Sequence, residues 1–145
     1  MFTHILVPTD GSVLSQRAVD AAIQLARPLR ARVTALHVIA RFHASDVIMG
    51  LLEANREDYE QAALEFARTE LASARRAADA AGVACDGLHV TGDDVAREIV
   101  AVASRSGCDL IFMASHGRRG IEAVLLGSET QKVLTQSRLP VLVYR

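Results

Sequence analysis

Tryptophan is absent from this 145-residue chain, proline occurs three times and cysteine twice. Aromatic residues make up only 4 %. Cys85 and Cys108 form no Cys-x-x-Cys pair, and a disulfide-stapled secreted domain of this size would carry more cysteines. A reducing cytoplasm is therefore the expected setting. Also lacking is any continuous apolar run near the ~20 residues that span a bilayer. Met1-Phe2-Thr3-His4 runs straight into an apolar segment with no basic region and no cleavage site, so no secretory signal is expected. The formal net charge of −1 excludes a global field that would draw DNA or anionic lipid. Neither nucleic acid nor a membrane is an expected partner, and any anion must be held by local backbone geometry and a few side chains.

What is present is an apolar half, 50 % of the residues, spread in short bursts over a length that suits one domain with a real core. Ile5-Leu6-Val7 is closed by Pro8-Thr9-Asp10-Gly11, a buried strand followed by a turn. Ser12 suits a helix N-cap, and Ala18, Ala21, Ala22, Leu25 and Ala26 follow at helical spacing. Pro28 lacks the donor of an interior helix position and is expected to end or kink that helix just before it. Val33 to Ile39 reads as a second strand.

After a loose segment from Ala40 to about Gly50 comes a long alanine-rich helix. Tyr59, Ala62, Ala63, Phe66, Ala74, Ala77 and Ala81 form its expected stripe, and Gly82 stops it. Val83 to Val90 is a weaker strand. Gly92-Asp93-Asp94 caps a helix whose Val95, Ile99 and Val102 share a face, ending at Gly107. Leu110 to Ala114 is an apolar strand, Ser128 starts a short helix, and Leu139 to Tyr144 is the last strand. Five strand-like runs separated by helices imply parallel crossovers, a single α/β domain and a sheet covered on both faces.

In open parallel sheets ligands bind beyond the carboxyl ends of strands, where connections diverge. Two turns have suitable chemistry. Pro8-Thr9-Asp10-Gly11-Ser12 places a carboxylate after the first strand. Ala114-Ser115-His116-Gly117-Arg118-Arg119-Gly120, leading to Gly127-Ser128, leaves the fourth. Gly117, Gly120 and Gly127 permit conformations and close approaches that a Cβ would hinder, and successive N–H groups there can form an anion nest. The helix start at Ser128 offers unpaired donors and a favourable dipole. Ser115 and Ser128 add hydroxyls, and Arg118, Arg119 and Lys132 add positive charge. The arrangement suits a polyphosphate, yet it is neither a Walker A loop nor a Gly-x-Gly-x-x-Gly dinucleotide turn. The competing reading is a glycine-shaped loop beside an ordinary N-cap.

These residues resemble the universal stress protein family across essentially the whole chain, residues 1–145. The resemblance is carried by Ile5 to Ser12, Gly92-Asp93, Ser115 to Gly120, Leu125-Leu126-Gly127-Ser128 and Pro140-Val141-Leu142-Val143. It implies a Rossmann-like five-stranded parallel sheet with helices on both sides, and a homodimer formed partly through the last strand at Val141, Leu142 and Val143. ATP-binding members resemble Gly-x2-Gly-x9-Gly-Ser/Thr. Gly117, Arg118 to Leu126, Gly127 and Ser128 fit that pattern, with Ala114 in place of the first glycine. A left-handed backbone at 114 would cost alanine ~1–2 kcal/mol, roughly five- to thirtyfold in affinity; an extended one would cost little.

The resemblance thus implies a nucleotide site at Pro8, Thr9, Asp10, Val38, Met113, Ala114, His116, Gly117, Arg118, Gly120, Gly127, Ser128 and Glu129, for ATP or AMP or ADP, with magnesium by Asp10. Asp10 is either that ribose- or metal-facing carboxylate or a turn residue bonding its own backbone. His116 either touches phosphate or faces solvent. Cys85 and His89 share a strand face but lack a third ligand for a metal. Ser12, Ser15 and Ser115 show no base-and-orienter arrangement. The function expected is a cytoplasmic nucleotide-binding stress regulator with at most slow ATP hydrolysis. A nucleotide-free dimeric interaction protein is the alternative.

Overall fold

The computed structural model describes residues 1–41, 56–117 and 126–145. Its elements run β1 (His4–Pro8), α1 (Val13–Leu29), β2 (Arg32–Ala40), α2 (Arg56–Ala81), β3 (Cys85–Gly92), α3 (Val95–Arg105), β4 (Leu110–Ala114), α4 (Ser128–Gln136) and β5 (Val141–Tyr144). The five strands form one sheet in the order β3-β2-β1-β4-β5, and every pairing is parallel.

Strand alternation sends side chains to two separate apolar layers. Ile5, Val7, Val33, Ala35, Phe112 and Ala114 pack with α1 and α2 on one face. Leu6, Leu36, Ile111 and Met113 pack with α3 and α4 on the other. Covered on both sides, β4 is buried at all five residues, which is why it reads as an unbroken apolar run. The doubly covered α/β sheet expected from the sequence is therefore present.

The boundaries depart from expectation where local chemistry is subtler than the hydrophobic period. Helix α1 continues through Pro28 to Leu29. The proline sits in the last turn, where its missing donor affects only the carbonyl of exposed Gln24. Arg30 then takes the left-handed conformation (φ 54), and Ala31 N–H donates back to the Ala26 carbonyl at 3.0 Å, a Schellman closure. Gly82 closes α2 in the same way, with Val83 N–H on the Ala78 carbonyl at 2.9 Å. Val83 is thereby consumed in the cap, so β3 begins at Cys85 rather than at Val83.

The buried face of α2 is Ala67, Leu71, Ala74 and Ala78. The expected stripe shares only Ala74 with it; Tyr59 is 48 % exposed and Ala62 is exposed. Alanine on every face of this helix blurs the period, and tertiary contact decides which alanines go inside. At the other end of the chain a Ser137–Leu139 turn, bonded in both directions at 2.9 and 3.0 Å, delays β5 to Val141. The expected loose segment from 40 to 50 lies almost wholly outside the described residues. No helix among the described residues is long and apolar enough to cross a membrane.

Candidate functional site

The strand order makes β1 and β4 neighbours whose connections leave in opposite directions, toward β2 and toward β5. That is a topological switch point, the place where open parallel sheets hold their ligands.

At the β1 exit, Thr9 extends the ladder by donating its N–H to the Leu36 carbonyl at 2.8 Å. The Asp10 carboxylate accepts the Ser12 N–H at 3.0 Å, an Asx turn, and Ser12 Oγ caps α1 by accepting the Ser15 N–H at 3.2 Å. Asp10 therefore does play the turn role, and its second oxygen lies against Gly117. Gly11 is left-handed at φ 78, and a Cβ there would meet the Phe66 ring at 2.5 Å. Phe66 lies edge-on to His37, with ring centroids 5.6 Å apart. His37 Nδ1 donates to the Thr9 carbonyl at 2.8 Å. These contacts tie α2 and β2 to the Asp10 turn.

At the β4 exit the chain leaves and returns at one point. Ser115 N–H continues the sheet onto the Tyr144 carbonyl at 2.7 Å, and the Ser115 carbonyl accepts the Gly127 N–H at 2.7 Å. Thr130 Oγ1 donates to the same carbonyl and lies equally near that of Ala114, at 3.1 Å each. The N-terminus of α4 is thus fastened to the end of β4. Neither Gly117 nor Gly127 has a positive φ; both glycines serve approach instead. A Cβ at Gly127 would meet the His116 Cα at 3.2 Å, and one at Gly117 would strike the Asp10 carboxylate. Ala114 is plain extended strand, in register with Tyr144, so the left-handed penalty does not arise.

The N-termini of the helices that follow β1, β3 and β4 differ. Ser12 caps α1 and Asp94 caps α3, whereas the N-cap of α4, Gly127, offers no side-chain bond. First-turn N–H groups without such a cap, with the helix dipole behind them, are suited to an anion. Glu129, in that first turn, turns its carboxylate away: it accepts the Ala96 N–H at 3.0 Å and the Lys132 ammonium at 2.9 Å. That hydrogen bond and charge push the Lys132 pKa up. A cavity of about 110 Å³ behind Thr9, between α1 and α2, is lined by Asp20 and Glu70, carboxylates that disfavour an anion there.

Pro8, Thr9, Asp10, Met113, Ala114, His116, Gly117, Gly127 and Ser128 lie at the β1 and β4 exits, with Val38 near the end of β2 at the same edge of the sheet. Arg118, Arg119 and Gly120 lie outside the described residues. Ser115, expected to offer a free hydroxyl, is buried and hydrogen-bonded to His116 Nδ1 at 3.1 Å; His116 is half-buried. Lys132 is occupied by Glu129. His37, Phe66 and Thr130 were not singled out for the site from the sequence. Only Thr130 had a legible signal, since a hydroxyl two residues into α4 can reach the strand it follows. Among the described residues no group of three metal-ligating side chains occurs. The Cys85 thiol, half-buried, has its pKa raised by burial.

A parallel sheet covered on both faces, with a glycine-bounded loop at its switch point, defines the open α/β class that places ligands beyond its strand ends. Within that class the chain matches the universal stress protein family model over residues 1–145, and it belongs to that family. Universal stress protein YxiE of Bacillus subtilis is 30 % identical, with 100 % of both chains covered. Among solved structures, MJ0577 of Methanocaldococcus jannaschii has a TM-score of 0.83 at 29 % identity, covering 99 % of this chain and 95 % of that one. A universal stress protein solved in complex with cAMP has a TM-score of 0.72 at 25 % identity, covering 99 % and 97 %.

Proposed function

We propose that this protein binds an adenine nucleotide at the β1–β4 switch point, with ATP and magnesium as the preferred form, and acts as a cytoplasmic homodimeric regulator in the stress response. The carrying observation is the first turn of α4, which has no side-chain cap among the described residues and is bonded back to the β4 exit beside the Asp10–Gly117 contact. In this reading the N–H groups of Ser128 and its successors take phosphate oxygens, and the segment from Ala114 to Ser128 wraps the chain of phosphates. Asp10 faces the ribose or a magnesium ion, and the backbone near Val38 faces the adenine. The family relative solved with cAMP supports a nucleotide as the ligand class. In this reading the nucleotide acts as a signal, with at most slow ATP hydrolysis.

Denaturing the purified protein and chromatographing what it releases, then titrating the emptied chain with ATP and magnesium, tests the reading. Binding by the native chain and its loss in Gly127→Val are expected, since a branched side chain at 127 collides with the His116 backbone. No released nucleotide and no binding at millimolar ATP would favour a nucleotide-free interaction protein of the same fold. Retained affinity in Gly127→Val would place the nucleotide elsewhere.

A further inference from the structure

Glu129 brings a carboxylate to the edge of the proposed phosphate site, in a first helical turn where an acidic side chain is favoured by the dipole. It follows Ser128 in the first turn of α4, where a free negative charge would compete with an incoming anion for the helix dipole. One of its oxygens instead accepts the Ala96 N–H of α3 at 3.0 Å, and the other is held by Lys132 at 2.9 Å. Asp94 serves the next α3 donor, Arg97 N–H, at 3.2 Å. The first turn of α3 is thus supplied with two carboxylates, one of them borrowed from α4. On its opposite flank α4 is anchored to β4 through Thr130. The pair with Lys132 is exposed and adds little by itself; the bond to a backbone N–H fixes geometry.

We infer that Glu129 is a positioning residue for the phosphate end of the site, holding the first turn of α4 between α3 and β4 while spending its charge on α3. This rests on the reading of the loop as a nucleotide site and deepens it by assigning what keeps the α4 donors in place. Calorimetric titration with ATP and with adenosine, on the native chain and on Glu129→Ala, Glu129→Gln and Asp94→Ala, tests it. Glu129→Ala should weaken ATP binding about tenfold, the scale of one charge-assisted hydrogen bond, and leave adenosine binding unchanged. Glu129→Gln keeps an acceptor for Ala96 N–H and should restore most of the loss. Asp94→Ala removes the other α3 cap while leaving both Glu129 contacts in place, so it should lower the melting temperature and spare ATP affinity.

Native affinity in Glu129→Ala, an equal loss in Asp94→Ala, an equal loss for adenosine, or no rescue by glutamine would each overturn the inference. Failure of the native chain itself to bind ATP would instead refute the nucleotide reading on which it stands.

Discussion

Replacing Ala114 by glycine tests whether the departure from the family's glycine pattern weakens the site. Ala114 lies in β4 in register with Tyr144, and Arg30 is the only non-glycine residue with positive φ among those described. The left-handed penalty of ~1–2 kcal/mol is therefore absent, and with it the reason for a five- to thirtyfold loss of affinity. Ala114 is 7 % exposed, and its methyl group packs in the α1–α2 layer. Deleting it costs about 1 kcal/mol of burial and cavity, and the extra freedom of an unfolded glycine adds about 0.5–1 kcal/mol. Ala114→Gly should thus lower stability by about 1.5–2 kcal/mol, or roughly 3–8 °C in melting temperature for a chain of this size. ATP affinity should change less than about threefold, a shift under ~0.7 kcal/mol. Thermal melts of the empty protein and calorimetric titration measure the two effects separately. A gain in affinity of tenfold or more would refute the reasoning, because it would mean that binding requires a conformation or an approach at 114 that alanine denies.

The remaining predictions probe other contacts. Gly117→Ala drives a methyl into the Asp10 carboxylate and should break its 3.0 Å bond to Ser12 N–H; magnesium–ATP affinity should fall about tenfold (~1.4 kcal/mol), and calorimetry showing no loss would separate Asp10 from the site. Val143→Arg places a charge on β5, whose outer edge is free among the described residues and whose Leu142 is 38 % exposed; sedimentation at micromolar concentration should shift from dimer to monomer, and an unchanged profile would remove β5 from the interface. His4 is buried, its Nε2 bonded to Thr34 Oγ1 at 2.7 Å, and its Nδ1 finds no partner among the described residues. Burial first, and then the Arg32 charge, hold its pKa below 6.5. The unfolded chain therefore takes up this proton at higher pH than the folded one, and stability should decline as pH falls from 6.5 toward the folded pKa. His4→Gln should flatten that part of a urea-denaturation pH profile; an unaltered slope would show that another group titrates there.

The parts of the fold most legible in the sequence were those where a chemical boundary coincided with a structural one. Strand β4 begins and ends where its apolar run does, and α4 starts at Ser128 because Gly127 and Ser128 mark a helix entry. The α2 stripe was illegible for a physical reason: alanine tolerates both surface and interior, so Ala67 and Ala78 were chosen by what faces them rather than by their own chemistry. Pro28 misled because its cost depends on distance from the helix end, and a left-handed arginine is not a cap that the sequence advertises. His37 and Phe66 reach the Asp10 turn only through the packing of α2 on β2, a tertiary fact with no local signature.

The candidate site illustrates the same division at closer range. Its glycines were visible, but their purpose was not, since a glycine read from sequence suggests backbone freedom as readily as absence of bulk. The positive φ values among the described glycines belong to Gly11, Gly82 and Gly107, two of which end helices. Gly117 and Gly127 have ordinary backbones and are small because the Asp10 carboxylate and the His116 backbone occupy the space a side chain would need. Each end is therefore packed closely, Gly117 against the Asp10 turn that follows β1 and Gly127 against the Ser115–His116 backbone that follows β4. On that logic substitutions at the two ends should damage the site through collision, and bulk rather than propensity should rank them. A series of Ala, Ser and Val at Gly127 should lose ATP affinity in order of side-chain size, whereas a ranking by β-propensity alone, with Val mildest, would return the glycine to a conformational role.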